Sequence, residues 1–160
     1  MKKFFILCLM ALVMCVNVNA QEREVTPTDS EHLNEISNSI ELIEYDLQSP
    51  NSVGGCDMYI EYKNITKNKV MKYVIFECRY YNAVDDVVYC DIRGYSTFRG
   101  KVTGPIEYMK KDRCFWDCPI YNWSARKMEI IGIEIDYMDG TKLNIGSEEM
   151  KYVKGYRGRK

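Results

Sequence analysis

The sequence predicts an all-β protein: an antiparallel β-sandwich of about seven or eight short strands within residues 39–148. Three observations predict it. Apolar side chains recur at every second position in several runs, turn residues punctuate those runs, and no long helical pattern separates strand pairs as a parallel sheet would require.

A targeting segment precedes that domain. Lys2 and Lys3 are followed by an uncharged stretch over residues 4–16, and Val18-Asn19-Ala20 sets short side chains before Gln21. This three-part pattern is that of a secretory signal peptide over residues 1–20, too short for a membrane span. Met14 stands before Cys15 where a lipid-anchor signal wants a small residue. The expectation is export to the periplasm, the cell surface or the medium. No later stretch is long and apolar enough to cross a bilayer.

Residues 21–38, acidic and interrupted by Pro27, read as a flexible leader. Residues 21–50 carry eight acids and one base, whereas 51–160 carry fifteen acids and nineteen bases. A balance of +4 in the latter is a solvated surface and points to no nucleic acid.

Leu33, Ile36, Ile40, Ile43 and Leu47 fit a helical stripe, but Ile40, Leu42, Ile43, Tyr45 and Leu47 fit a strand with one bulge. The strand reading agrees better with the rest of the chain. Ser49-Pro50-Asn51-Ser52 and Gly54-Gly55 mark a loop. Cys56, Met58, Ile60 and Tyr62 then share one face, as do Val74, Phe76, Cys78 and Tyr80 in the next run. After a loop at residues 82–86, Val88, Cys90 and Ile92 resume the alternation. Pairing across that loop would set Phe76 against Ile92, Cys78 against Cys90 and Tyr80 against Val88. Opposed strand residues lie within disulfide reach, so Cys78 and Cys90 are either a disulfide or two buried thiols.

Near the C-terminus, Ile131, Ile133, Ile135 and Tyr137 precede Asp139-Gly140. A two-residue loop would mix the two faces. A three-residue loop, Met138-Asp139-Gly140, pairs Ile135 with Leu143 and Ile133 with Ile145, with Gly140 left-handed after a type I turn. Residues 149–160 form a basic tail, expected to be a solvated end.

The runs Tyr59-Ile60-Glu61-Tyr62-Lys63-Asn64, Tyr73-Val74-Ile75-Phe76, Tyr80-Tyr81-Asn82 and Val87-Val88 resemble bacterial FxLYD-like domains. Asn82 stands where that family carries Asp, and its following Gly is absent. The resemblance implies an immunoglobulin-like sandwich on an exported protein. It brings no catalytic residues with it.

The residue inventory points to binding rather than catalysis. His32 is the only histidine and lies in the leader, so neither Ser nor Cys has a credible base. Cys114 and Cys118 have zinc-like spacing without a second pair, which favours a local disulfide or buried thiols over a metal. No cofactor motif is present. Cys56, Cys78, Cys90, Cys114 and Cys118 follow the signal segment, an odd number that leaves one thiol over. Arg113-Cys114-Phe115-Trp116-Asp117-Cys118 reads as a stapled aromatic loop, and Phe115, Trp116, Tyr121 and Trp123 are the candidate binding residues. Tyr59, Tyr73, Tyr81 and Tyr89 are candidates for an outward aromatic face. The expected partner is a protein or glycan of the cell envelope. A carboxylate-dependent hydrolase and a purely structural or oligomerising envelope protein are the alternatives.

Overall fold

The computed structural model describes residues 27–160; the expected signal peptide and residues 21–26 lie outside them. One helix, α1 (Pro27–Ser37), precedes seven strands: β1 (Ile40–Leu47), β2 (Gly55–Asn64), β3 (Met71–Tyr81), β4 (Thr97–Ile106), β5 (Lys111–Tyr121), β6 (Lys127–Tyr137) and β7 (Lys142–Ile145). A 3-10 turn, Met150–Tyr152, follows. Every strand pair is antiparallel, and the strands form two sheets ordered β1-β2-β5 and β4-β3-β6-β7. In immunoglobulin lettering, the A-B-E and C-F-G neighbour relations are kept, and the fourth strand of the larger sheet lies beside C.

The core lies between the sheets, built from the alternate positions of each run. Met58, Ile60 and Tyr62 of β2 face Val74, Phe76, Cys78 and Tyr80 of β3, and all are fully buried. Burying side chains of this size contributes about 1.5–3 kcal/mol each. The ring of Tyr62 meets Phe76 edge-on, with centroids 5.1 Å apart. The buried tyrosines keep their hydroxyls partnered: Tyr45 donates to the Gly158 carbonyl at 2.8 Å, and Tyr137 lies 2.9 Å from the Thr66 hydroxyl.

Two register expectations hold. The β1–β2 ladder shifts between Leu42 and Glu44, so Ile43 is the bulged residue. The β6–β7 ladder pairs Ile135 with Leu143 and Ile133 with Ile145, and Gly140 has φ +86° behind a turn closed by its N–H on the Tyr137 carbonyl.

Three expectations are corrected. First, the leader is not flexible throughout, because residues 27–37 are helical. Pro27 opens α1, Ile36 is fully buried, and His32 Nε2 lies 3.1 Å from Glu149 Oε1. Second, the hairpin after β3 begins in the expected register but abandons it. Tyr81 bridges Val87 and the Val88 N–H donates to the Tyr80 carbonyl, yet the chain then loops out until Thr97, where β4 begins opposite Arg79. Gly100, not Ile92, therefore faces Phe76, and Cys78 lies opposite Phe98. The physical reason is Trp116 of the facing sheet. A Cβ on residue 100 would sit 2.4 Å from its indole, so only glycine lets that ring reach Phe76.

Third, the C-terminal residues are a strap rather than a solvated tail. The Lys154 carbonyl accepts from the Leu42 N–H on β1 at 2.8 Å, the Arg157 N–H donates to Tyr45 Oη, and Lys160 exchanges backbone hydrogen bonds with Met128 on β6. The strap thus crosses from one sheet to the other and closes that side of the sandwich.

Candidate functional site

Three loops meet at one end of the sandwich, and Asn122 holds them together. Its N–H donates to the Gly54 carbonyl at 2.9 Å. Its side-chain amide donates to the Tyr89 carbonyl at 2.9 Å and to Asp91 Oδ1 at 3.3 Å, while its Oδ1 accepts the Ser124 N–H and hydroxyl. The Asp91 N–H in turn donates to the Tyr121 carbonyl at 2.7 Å. The loops of residues 48–54, 87–96 and 122–126 are thereby fixed to one another and to the ends of β2 and β5.

These fixed loops expose large apolar groups. Trp123 is 59% exposed, with its indole lying over Gly54, where an added Cβ would come within 3.1 Å. Tyr89 is 60% exposed, and Val53 and Ile92 are comparably open. Asp91 and Arg93 supply charge beside them, and Arg93 Nη1 donates to the Tyr95 hydroxyl at 2.6 Å. Aromatic faces on a backbone that does not have to be ordered on contact are suited to a sugar ring or an apolar side chain.

Thiols lie beneath this rim. Cys56 is buried, with Sγ 3.8 Å from the Asn122 carbonyl, and burial pushes it up to about 11. Cys90 goes the other way. Burial alone would raise it, but backbone N–H groups of Tyr121, Arg93 and Ile92 aimed at the sulfur, with the Arg93 charge, bring it below the usual thiol value. Cys118 has φ +46° at a bulge of β5, and its N–H donates to Asp57 Oδ1 at 2.9 Å.

Among the described residues no disulfide forms: Cys56, Cys78, Cys90, Cys114 and Cys118 are all free thiols. Cys78 is enclosed on β3 between Phe98 and Ile130, whereas Cys90 sits in the loop that leaves the sheet. Cys114 and Cys118 occupy one strand, and four residues of extended chain span about 13 Å, beyond the reach of a disulfide. Cys114 packs towards the Ile60 carbonyl, and burial raises it to about 12.

The aromatic candidates separate. Tyr121 and Trp123 belong to the loop end, but residues 113–118 are strand, not loop. Phe115 stands on the outer face of β5 beside Tyr59, and Trp116 turns inward, edge-on to Phe76 and Phe98. Of the four tyrosines, Tyr59 lies on the smaller sheet, Tyr73 and Tyr81 on the larger, and Tyr89 on a loop. They make no common face, and Tyr81 is buried under the Arg159 guanidinium, 4.0 Å from its ring centre. Sequence reasoning placed Val53 and Ile92 in no site. A Gly-Gly loop and a strand-like pattern gave no sign that both would lie on loops tied to Asn122, the residue before Trp123.

Apart from this rim, a depression of about 390 Å³ lies on the outer face of the larger sheet. It sits over Gly132, next to the β6 bulge at Ile131, and is lined by Glu77, Arg79, Arg99 and Glu134. Arg99 is ion-paired to Glu134. Among the described residues, no cluster of three or more His, Cys, Asp or Glu is placed to hold a metal ion. No helix among them is long and apolar enough to cross a membrane.

No family model matches this chain, and no curated protein or solved structure matches it at a significant level.

Proposed function

We propose that this chain is an exported, non-enzymatic binding module that holds a protein or glycan partner of the cell envelope at its loop end. The observation that carries this reading is the pair of open aromatic rings, Trp123 and Tyr89, anchored on one rim by Asn122. The signal-like N-terminus supports the exported setting. Loops displayed on a rigid sandwich commonly carry recognition, and exposed aromatic anchors supply most of the affinity when they do.

The test is titration of residues 21–160 with purified envelope polysaccharides and, separately, with envelope proteins. Trp123→Ala and Tyr89→Ala are each expected to weaken the bound partner about tenfold or more, with the far-ultraviolet spectrum unchanged. Full affinity in both variants removes the loop end from consideration. Release of shortened glycan during the titration favours the carboxylate-dependent hydrolase instead, with Glu77 and Glu134 in the outer depression as the pair to substitute.

A further inference from the structure

The outer edge of β5 carries a self-complementary pattern, and we infer that it pairs with the same edge of a second copy of this chain. The directions of the backbone groups come first. The Asn64 N–H donates to the Lys110 carbonyl and its own carbonyl accepts from Met109, so even-numbered residues of β2 turn their backbone groups towards β5. Their register partners are Asp112, Cys114 and Trp116. Since backbone groups alternate sides along an antiparallel strand, Arg113, Phe115 and Asp117 aim theirs away from β2, at an edge that carries no further strand.

The other edges of the sandwich are blunted. On β1, Lys154 of the strap pairs beside Glu41 and Leu42. On β6, Lys160 of the strap pairs with Met128, and β7 is only four residues long. The β4 edge contains Pro105, and its outward side chains include Arg99 and Lys101, which would repel a copy of themselves. On β5, Pro119 lies within the bulge between Trp116 and Ile120, so residues 111–116 keep a regular register, with no backbone partner strand on their outer side; the Arg113 N–H rests on Asp112 Oδ1 at 2.9 Å.

The side chains on that edge match under a two-fold axis. Centring the axis on Phe115 sets Phe115 against its own copy and Arg113 against Asp117 of the second chain, twice over. The central pair is of the hydrogen-bonded kind, and the two flanking pairs bring opposite charges across the ladder. Phe115 is 52% exposed, and Arg113 and Asp117 are exposed on the same face. Neither charge has an ion-pair partner among the described residues; Arg113 only stacks over the Tyr59 ring, 4.3 Å from its centre. Opposite charges facing across such a ladder stabilise it, and like charges oppose it. The loop end lies past the β5 bulge, so pairing leaves Trp123 and Tyr89 free.

Sedimentation velocity of residues 21–160 in reductant, over a wide concentration range, tests the inference. A concentration-dependent dimer is expected. Arg113→Asp places two carboxylates opposite each other at both ends of the interface and is expected to weaken the dimer about tenfold or more. Combining it with Asp117→Arg restores the opposed charges and is expected to return affinity to within about threefold of the original. Phe115→Lys, which sets two like charges on the axis, is expected to give monomer. Far-ultraviolet spectra establish that each variant is folded. A monomer at every concentration overturns the inference, as does a dimer that Arg113→Asp leaves intact or that the double variant fails to restore.

Discussion

Asn64 is fully buried at the end of β2, and both its amide hydrogens and its Oδ1 are partnered. Its amide donates to the Ile106 carbonyl at 2.8 Å and the Lys69 carbonyl at 3.0 Å, and Oδ1 accepts the Thr66 N–H at 2.9 Å. One side chain therefore fixes the β2–β3 turn and joins it to the end of β4. Asn64→Ala would leave the buried Ile106 carbonyl and the turn's N–H without these partners. A loss of about 1–3 kcal/mol is expected, read as a lower urea midpoint at unchanged slope. At the same scale, Gly100 decides a register. A strand position facing Phe76 would ordinarily be filled with an apolar side chain, and here the space is taken by Trp116 from the opposite sheet.

Among the elements, the C-terminal strap depends on a half-buried carboxylate. Glu129 of β6 accepts from the Tyr81 hydroxyl at 2.7 Å, the Tyr156 hydroxyl at 3.1 Å and Arg159 Nε at 3.3 Å. Burial alone would raise its carboxyl, but these three donors outweigh burial and hold it below the ordinary carboxylate value of 4.5. A folded-state value below the unfolded one gives stability that is present in full above the unfolded value. That stability is lost as pH falls through the folded value. Urea unfolding between about pH 5 and pH 2 is expected to show a steep acid decline that Glu129→Gln flattens. Equal slopes in the two proteins would mean that the strap is held by its backbone contacts to Leu42 and Met128 alone. Gly155 makes one of those contacts possible, since at φ +78° a Cβ would lie 1.9 Å from the Leu42 carbonyl oxygen.

At the scale of the whole molecule, two sheets of three and four strands are held by packing and hydrogen bonds without a covalent cross-link. Thermal unfolding of residues 21–160 is therefore expected to give the same midpoint with and without reductant. Titration of the denatured protein with a thiol reagent is expected to find the five described cysteines all reactive. A midpoint that falls sharply on reduction would contradict free thiols. An oxidising setting, such as the proposed export would give, permits disulfides but does not create them. Geometry decides, and here it sets Cys78 among core side chains and Cys90 on a separate loop.

The sequence by itself determined the all-β class, the bulge at Ile43, the inward faces of β2 and β3, and the β6–β7 register down to the turn glycine. Each of these follows from a period of two read along one run, or across one short loop, where the chain's own spacing enforces the match. Of the candidate site, Tyr121 and Trp123 were legible as aromatics in a loop-rich stretch and Tyr89 as an outward aromatic, though grouped with strand tyrosines, while Val53 and Ile92 were not legible. Only the tertiary structure decided that α1 docks through Ile36, that the chain detours between Val88 and Thr97, that Gly100 makes room for Trp116, and that the strap joins β1 to β6. Each of those depends on a partner distant in sequence, and a local alternation of apolar side chains reports which face is buried without saying what buries it.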